Sequence, residues 1–235
     1  MNLQNARTFE SVRAQVIARA NAALPDAIVR VADLRMTPEG HLALPGDRTY
    51  RLNDWSRKNL ASMLGLRWGR WFQSTSGQER AEELNRRFSR TPGEKKIRAW
   101  RDDTGAADGV ARAFLAPTFT PIDEARLFER MHTMMRGLMD EYRFSVVTLT
   151  DSTTHYTAVH VTPMDVDGRG DLLHPGFHLR NSEVGASALS IDDHWLRLVC
   201  SNGLMVRVGE KRALYRTHRA IDDDQLAASR ATRGG

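Results

Sequence analysis

FSVVTLTD (144–151) and HYTAVHVTP (155–163) decide the fold of this chain. Both are rich in β-branched residues and alternate with a period of two, the period that sends successive side chains to opposite faces of a strand. The same period continues through GFHLRNSEVG (176–185), ALSI (188–191), WLRLVC (195–200) and LMVRV (204–208), with short turns between. A run of strands this closely spaced predicts an antiparallel sheet in the C-terminal half.

Upstream the period lengthens. Val12, Val16, Ile17 and Ala20 recur at helical spacing within residues 6–23. AIVRVADLRM (27–36) reads as a strand, and HLALPGDRTYRL (41–52) as two strands around Pro45-Gly46-Asp47. LNDWSRKNLASMLGL (52–66) opens on an Asn-Asp cap and carries Trp55, Leu60, Met63 and Leu64 on one stripe, which predicts a helix. A short aromatic helix after Arg67 and a charged helix over 77–88 follow, then strands over 95–102 and 110–119. PIDEARLFERMHTMMRGLMDEY (121–142) is the strongest helical pattern, with Ile122, Leu127, Met131, Met134, Met135 and Leu138 as core filler. The expected fold is α+β: an antiparallel sheet from the C-terminal half packed with helices from the N-terminal half, forming one domain over 1–220 and a tail over 221–235.

RLVCSNGLM (197–205) holds Cys200, the one cysteine. A nucleophilic thiol needs a base within reach, and His194 stands six residues away on the same strand, about 20 Å when extended. Cys200 shares a face with Leu196 and Leu198, so it reads as a core residue. Asn202-Gly203 reads as a type I′ turn joining two strands.

The 235 residues are 41% hydrophobic and 27% charged, the composition of a globular chain. No apolar run approaches the roughly 20 residues of a membrane span. The first fifteen residues lack the layout of a secretory signal, and a single cysteine allows no intramolecular disulfide, so a cytoplasmic location is expected.

His155, His160, His174 and His178, with Asp165, Asp167 and Glu183 nearby, raise the question of a metal site. His155 and His160 have opposite parity on one strand and face opposite ways. Pro175-Gly176 is expected to break the strand between His174 and His178. No CxxC, HExxH or EF-hand spacing occurs, and MDVDGRGD (164–171) lacks a closing glutamate. Phosphate-binding glycine loops and the GxSxG elbow are also missing from the sequence. No cofactor, metal or catalytic residue is therefore assigned.

Charge is the remaining signal. The net charge is +5, yet residues 51–101 carry thirteen Lys or Arg against five Asp or Glu, a net +8 that leaves the rest of the chain at −3. Arg67, Trp68, Arg70, Trp71, Arg86, Arg87, Lys95, Lys96, Arg98, Trp100 and Arg101 interleave cations with aromatics. Cations neutralise phosphates, while exposed rings stack bases for about 1–3 kcal/mol each. Arg180, in RNSE (180–183), is a further candidate for polar contact. The bland alternatives are a solvated charged face, buried tryptophans and ion pairs that merely brace a helix.

Several stretches together resemble a known family: LNDWSRKNLASMLGLRWGRWF with AEELNRRF, VARAFLAPTFTPIDEARLF, FHLRNSEVGASALSI and WLRLVCSNGLM. They are similar, in order, to the phage- and plasmid-borne family of unknown function numbered 932, the phage/plasmid-like proteins. Ala116-Pro117-Thr118-Phe119 departs from that family's pattern. The resemblance implies a DNA transaction by association, and a sheet-and-helix layout similar to single-strand annealing recombinases, which form oligomeric rings. The expected function is a non-enzymatic accessory that binds single-stranded DNA and self-associates; the alternative is a protein-binding regulator or host-defence antagonist.

Overall fold

The computed structural model describes residues 6–67, 69, 75–165, 168, 170–198 and 205–216. Cys200, the Asn202-Gly203 turn, Trp68, Arg70, Trp71, Asp167 and the 221–235 tail lie outside the described residues. The chain is α+β with mostly antiparallel sheets.

A single domain is expected over 1–220, yet the chain divides into two compact units, Met1–Asn21 with Thr120–Gly235, and Ala22–Phe119. The first unit opens with β1 (Arg7–Thr8) and α1 (Phe9–Ala20), capped by the Thr8 hydroxyl accepting from Ser11 N at 3.2 Å. The inserted unit then runs β2 (Ala27–Arg30), β3 (Arg35–Met36), β4 (Leu42–Leu44), β5 (Arg48–Leu52), α2 (Asp54–Met63), α3 (Gly77–Arg90), β6 (Glu94–Arg101) and β7 (Gly109–Leu115). The chain returns to the first unit through α4 (Glu124–Met134), β8 (Tyr142–Leu149), β9 (Thr154–His160), β10 (Met164–Asp165), β11 (Leu172–Asn181), β12 (Leu189–Leu198) and β13 (Met205–Arg216).

Each unit has its own sheet. In the inserted unit the order is β2-β6-β7-β5-β4-β3, antiparallel except for the parallel β5–β7 pair. In the other it is β1-β8-β9-β11-β12-β13, with β10 pairing β11. Of the helices from the N-terminal half, α1 packs on the C-terminal sheet, while α2 and α3 pack on a second sheet in the inserted unit. Leu60, Leu84 and Phe88 of α2 and α3 share a core with Ile97 and Phe114 of their own sheet. The later sheet takes Val12 and Val16 of α1 and Leu127 and Phe128 of α4 against Phe144, Tyr156, Phe177 and Leu179. An apolar helical stripe buries against whichever sheet face its loops allow it to reach, and that choice is not local.

Local signals place the helix starts. Asn53 caps α2, accepting from Ser56 N at 2.7 Å. Ser76 and Glu79 form a capping box on α3, each side chain bonding the other's backbone N–H.

Several expectations of element extent and burial change. The strand expected over 27–36 is interrupted by a 3-10 turn at Val31–Asp33, which buries Val31 and Leu34 completely. Asn85 of α3 then brackets β3, accepting from Met36 N at 2.6 Å and donating to Met36 O at 3.0 Å. The helix expected to reach Tyr142 stops at Met134, and Gly137 follows with φ +84°. Met134 and Leu138 are consequently 59% and 46% exposed rather than core, while Met139 is buried.

Pro175-Gly176 does not break β11. β10 pairs with Leu172 and Leu173, and β9 only from Gly176 onward, so Pro175 falls where one edge of the strand has no partner to lose a hydrogen bond with. Gly176 is required there: a Cβ would lie 2.5 Å from Ala158 O and 2.6 Å from His194 Nε2. Gly176→Ala is expected to cost about 1–3 kcal/mol of stability by overpacking, measured by chemical denaturation.

The strands flanking the expected Asn-Gly turn do pair antiparallel, as a hairpin requires. β13 also runs to Arg216, well past the expected Val208.

Candidate nucleic-acid interface

The basic stretch is divided by the sheet it helps to build. On α3, Ala81, Leu84 and Phe88 form the buried stripe, leaving Arg86, Arg87 and Arg90 off it. Glu83 collects the first two: Arg87 Nε reaches Oε1 at 2.7 Å, and Arg86 bonds Oε2. The hydrogen bond from Arg87, aided by the charge of Arg86, holds the Glu83 carboxyl below its usual range. Arg87 also donates to Leu64 O at 2.9 Å, tying α3 to the end of α2. Arg90 has no ion pair among the described residues. These side chains, with Thr91, line a cleft of about 430 Å³. Among the described residues three guanidinium groups there answer to one carboxylate, and Arg67, three residues beyond Leu64, is exposed.

β6 carries its cations elsewhere. Ile97 and Ala99 are buried in the core shared with Leu84 and Phe88, so Lys96, Arg98 and Trp100 point to the opposite side of the sheet from α3. The strand pattern read from the sequence holds, but it separates these residues from Arg86, Arg87 and Arg90. They are also occupied. Lys96 Nζ donates to Phe119 O at 2.6 Å, and Arg98, only 11% exposed, meets Asp26 at 3.1 Å. The Arg112 guanidinium covers the Trp100 ring at 3.9 Å, so that face is not open for a base. Lys95 is half-buried and Arg101 exposed at the strand end.

Other cations of the stretch are spent on folding. Arg51 forms two hydrogen bonds to Asp102, at 2.6 and 2.5 Å, and holds that carboxyl far below the usual range. Arg57 meets Asp54 at 3.4 Å. Within this unit the structure therefore brings together Arg86, Arg87 and Arg90, and does not bring them together with Lys96, Arg98 or Trp100.

Arg180 sits on β11 of the other unit. β9 and β11 pair with Arg180 opposite His155 and His178 opposite Thr157, so all four side chains lie on the sheet face away from Tyr156 and Leu179. Thr157 Oγ1 and His178 Nδ1 are 3.0 Å apart, and His178 Nε2 and His155 Nδ1 are 3.5 Å apart. The two other histidines do not join them. His160 bonds Glu141 at 2.6 Å, and His174 Nδ1 donates to the His160 carbonyl at 3.0 Å. No group of three or more His, Cys, Asp or Glu among the described residues is arranged to hold a metal ion. Among the described residues no helix is long and apolar enough to cross a membrane.

The rest of RNSE is a buried turn network. Asn181 Nδ2 donates to Ile122 O at 2.8 Å, Ser182 Oγ to Ser152 O at 2.6 Å, and Glu183 Oε1 accepts from Glu124 N at 2.9 Å. Glu124, 3% exposed, receives the hydroxyls of Tyr156 (2.9 Å) and Thr154. Burial first, and the neighbouring Glu183 charge second, push its carboxyl up to about 7. Sequence periodicity carried no sign of this carboxyl, because its partners come from β9 and the β11 turn.

No protein-family model matches the chain, and searches of curated proteins and of solved structures return no match.

Proposed function

We propose that this protein is a cytoplasmic, non-enzymatic accessory of phage or plasmid DNA transactions that binds single-stranded DNA by its phosphate backbone. The contact is the cleft of Arg86, Arg87 and Arg90, extended by Arg67. The carrying observation is the charge imbalance of that cleft, where the described residues set three guanidinium groups against one carboxylate, Glu83. Guanidinium forks match phosphate oxygens, and an unpaired Arg90 has nothing among the described residues to release before doing so.

Fluorescence anisotropy with a labelled single-stranded oligonucleotide tests the reading. Binding should be measurable at about 50 mM salt and fall with a logarithmic salt slope near −2, the value for roughly three phosphate contacts on a single strand. The double variant Arg86→Glu, Arg90→Glu should lower affinity more than about tenfold at that salt, since two contacts become repulsive. An absence of oligonucleotide binding there overturns the proposal and favours a regulator that docks on an acidic protein surface.

A further inference from the structure

The geometry points to a phosphate-binding site on the face of β9 and β11 opposite Tyr156 and Leu179, formed by the part-buried Arg180, His155 and His178 and the buried Thr157. The site is built from one unit alone and does not rest on the DNA-binding reading of the α3 cleft.

Three observations carry it. First, Arg180 has no hydrogen bond or ion pair among the described residues, and its Nε is shielded from solvent without an acceptor. A guanidinium whose Nε–H has lost water without gaining an acceptor, while the residue stays part-buried, suits an incoming anion. Second, Asp192, the carboxylate opposite His178 on the same sheet face, is engaged: its oxygens meet Arg212 Nε at 3.3 Å and Ser190 Oγ at 3.4 Å. Third, Thr157, His178 and His155 form a relay ending at His155 Nε2, which has no partner among the described residues.

The relay has two possible proton directions, and an anion selects one. When Thr157 donates to His178 Nδ1, His178 Nε2–H donates to His155 Nδ1, and neutral His155 must carry its proton on Nε2. That N–H and the Arg180 guanidinium then supply three or more donors to the tetrahedral oxygens of one phosphate. Desolvation, with the Arg180 charge second, lowers the His155 pKa and keeps that ring neutral. His155, His178 and Arg180 are each only part-buried, so the donors remain reachable.

The test is titration of the full chain with inorganic phosphate, followed by calorimetry and by histidine-detected ¹H–¹⁵N NMR. Phosphate should bind, shift the His155 and His178 ring resonances, and leave His155 as the Nε2–H tautomer. Arg180→Gln and, separately, His155→Asn should each weaken binding about tenfold or more while circular dichroism stays unchanged. The double variant Arg86→Glu, Arg90→Glu should bind phosphate here as the wild type does, even where it loses single-stranded DNA. Absence of phosphate binding, or binding unaltered by Arg180→Gln and His155→Asn in folded protein, overturns the assignment. Oligonucleotide binding by the α3 cleft is read separately and decides only the earlier proposal.

Discussion

Replacing Phe128 with alanine is expected to lower the free energy of unfolding by about 3–5 kcal/mol, the range for emptying a buried aromatic site. Phe128 is fully buried, its ring stacked on Phe9 at 5.7 Å and set edge-on to Tyr156 at 4.9 Å, with Phe144 at 6.4 Å. Those partners come from α1, β9 and β8, so a single side chain on α4 joins three elements. Neighbours held by backbone ladders and by each other collapse poorly into the space left behind. Chemical denaturation should show the lost stability as a lower midpoint with little change in slope. Phe128→Leu, which keeps most of the volume, should lose less. A loss below about 1 kcal/mol in Phe128→Ala would mean that the packing relaxes to fill the gap.

The second large effect is on pH dependence. Glu124 is raised from an ordinary 4.5 to about 7 by burial and by Glu183, even though the Thr154 and Tyr156 hydroxyls favour its charged form. Between those two values the folded chain holds a proton that the unfolded chain has released. Stability is therefore highest below the unfolded value, falls as pH rises through the window, and levels off above about 7. The full span is on the order of 3 kcal/mol. Glu124→Gln cannot ionise and should remove this slope. Its stability relative to wild type should rise between pH 5 and pH 8, measured as the difference between two denaturation series. Parallel pH profiles for the two proteins would show that Glu124 keeps its ordinary titration.

The candidate interface shows how far local reading reaches. The alternation that separates Ile97 and Ala99 from Lys96, Arg98 and Trp100 is visible in the sequence, as is the placement of Arg86 and Arg87 off the apolar stripe of a helix. Their neutralisation is not. Asp26 and Asp102 reach Arg98 and Arg51 from distant positions in the chain. The count of thirteen cations therefore overstated the charge available to a partner. Arg180 was legible as a candidate, but its setting between His155 and His178 depends on the register of β9 against β11, which no spacing within either strand reveals.

By itself the sequence determined the type of the longer elements and the starts of α2 and α3: Asn53 and the Ser76–Glu79 box act within one turn, and side-chain period is a property of a few consecutive residues. Only the tertiary structure decided that there are two sheets, that β5 and β7 run parallel, that Pro175 remains inside a strand and that Glu124 is buried beside Glu183. The reason is physical. Element type follows from neighbours along the chain, whereas strand partners, burial and charge compensation are set by groups far apart in sequence that folding brings within a few ångströms.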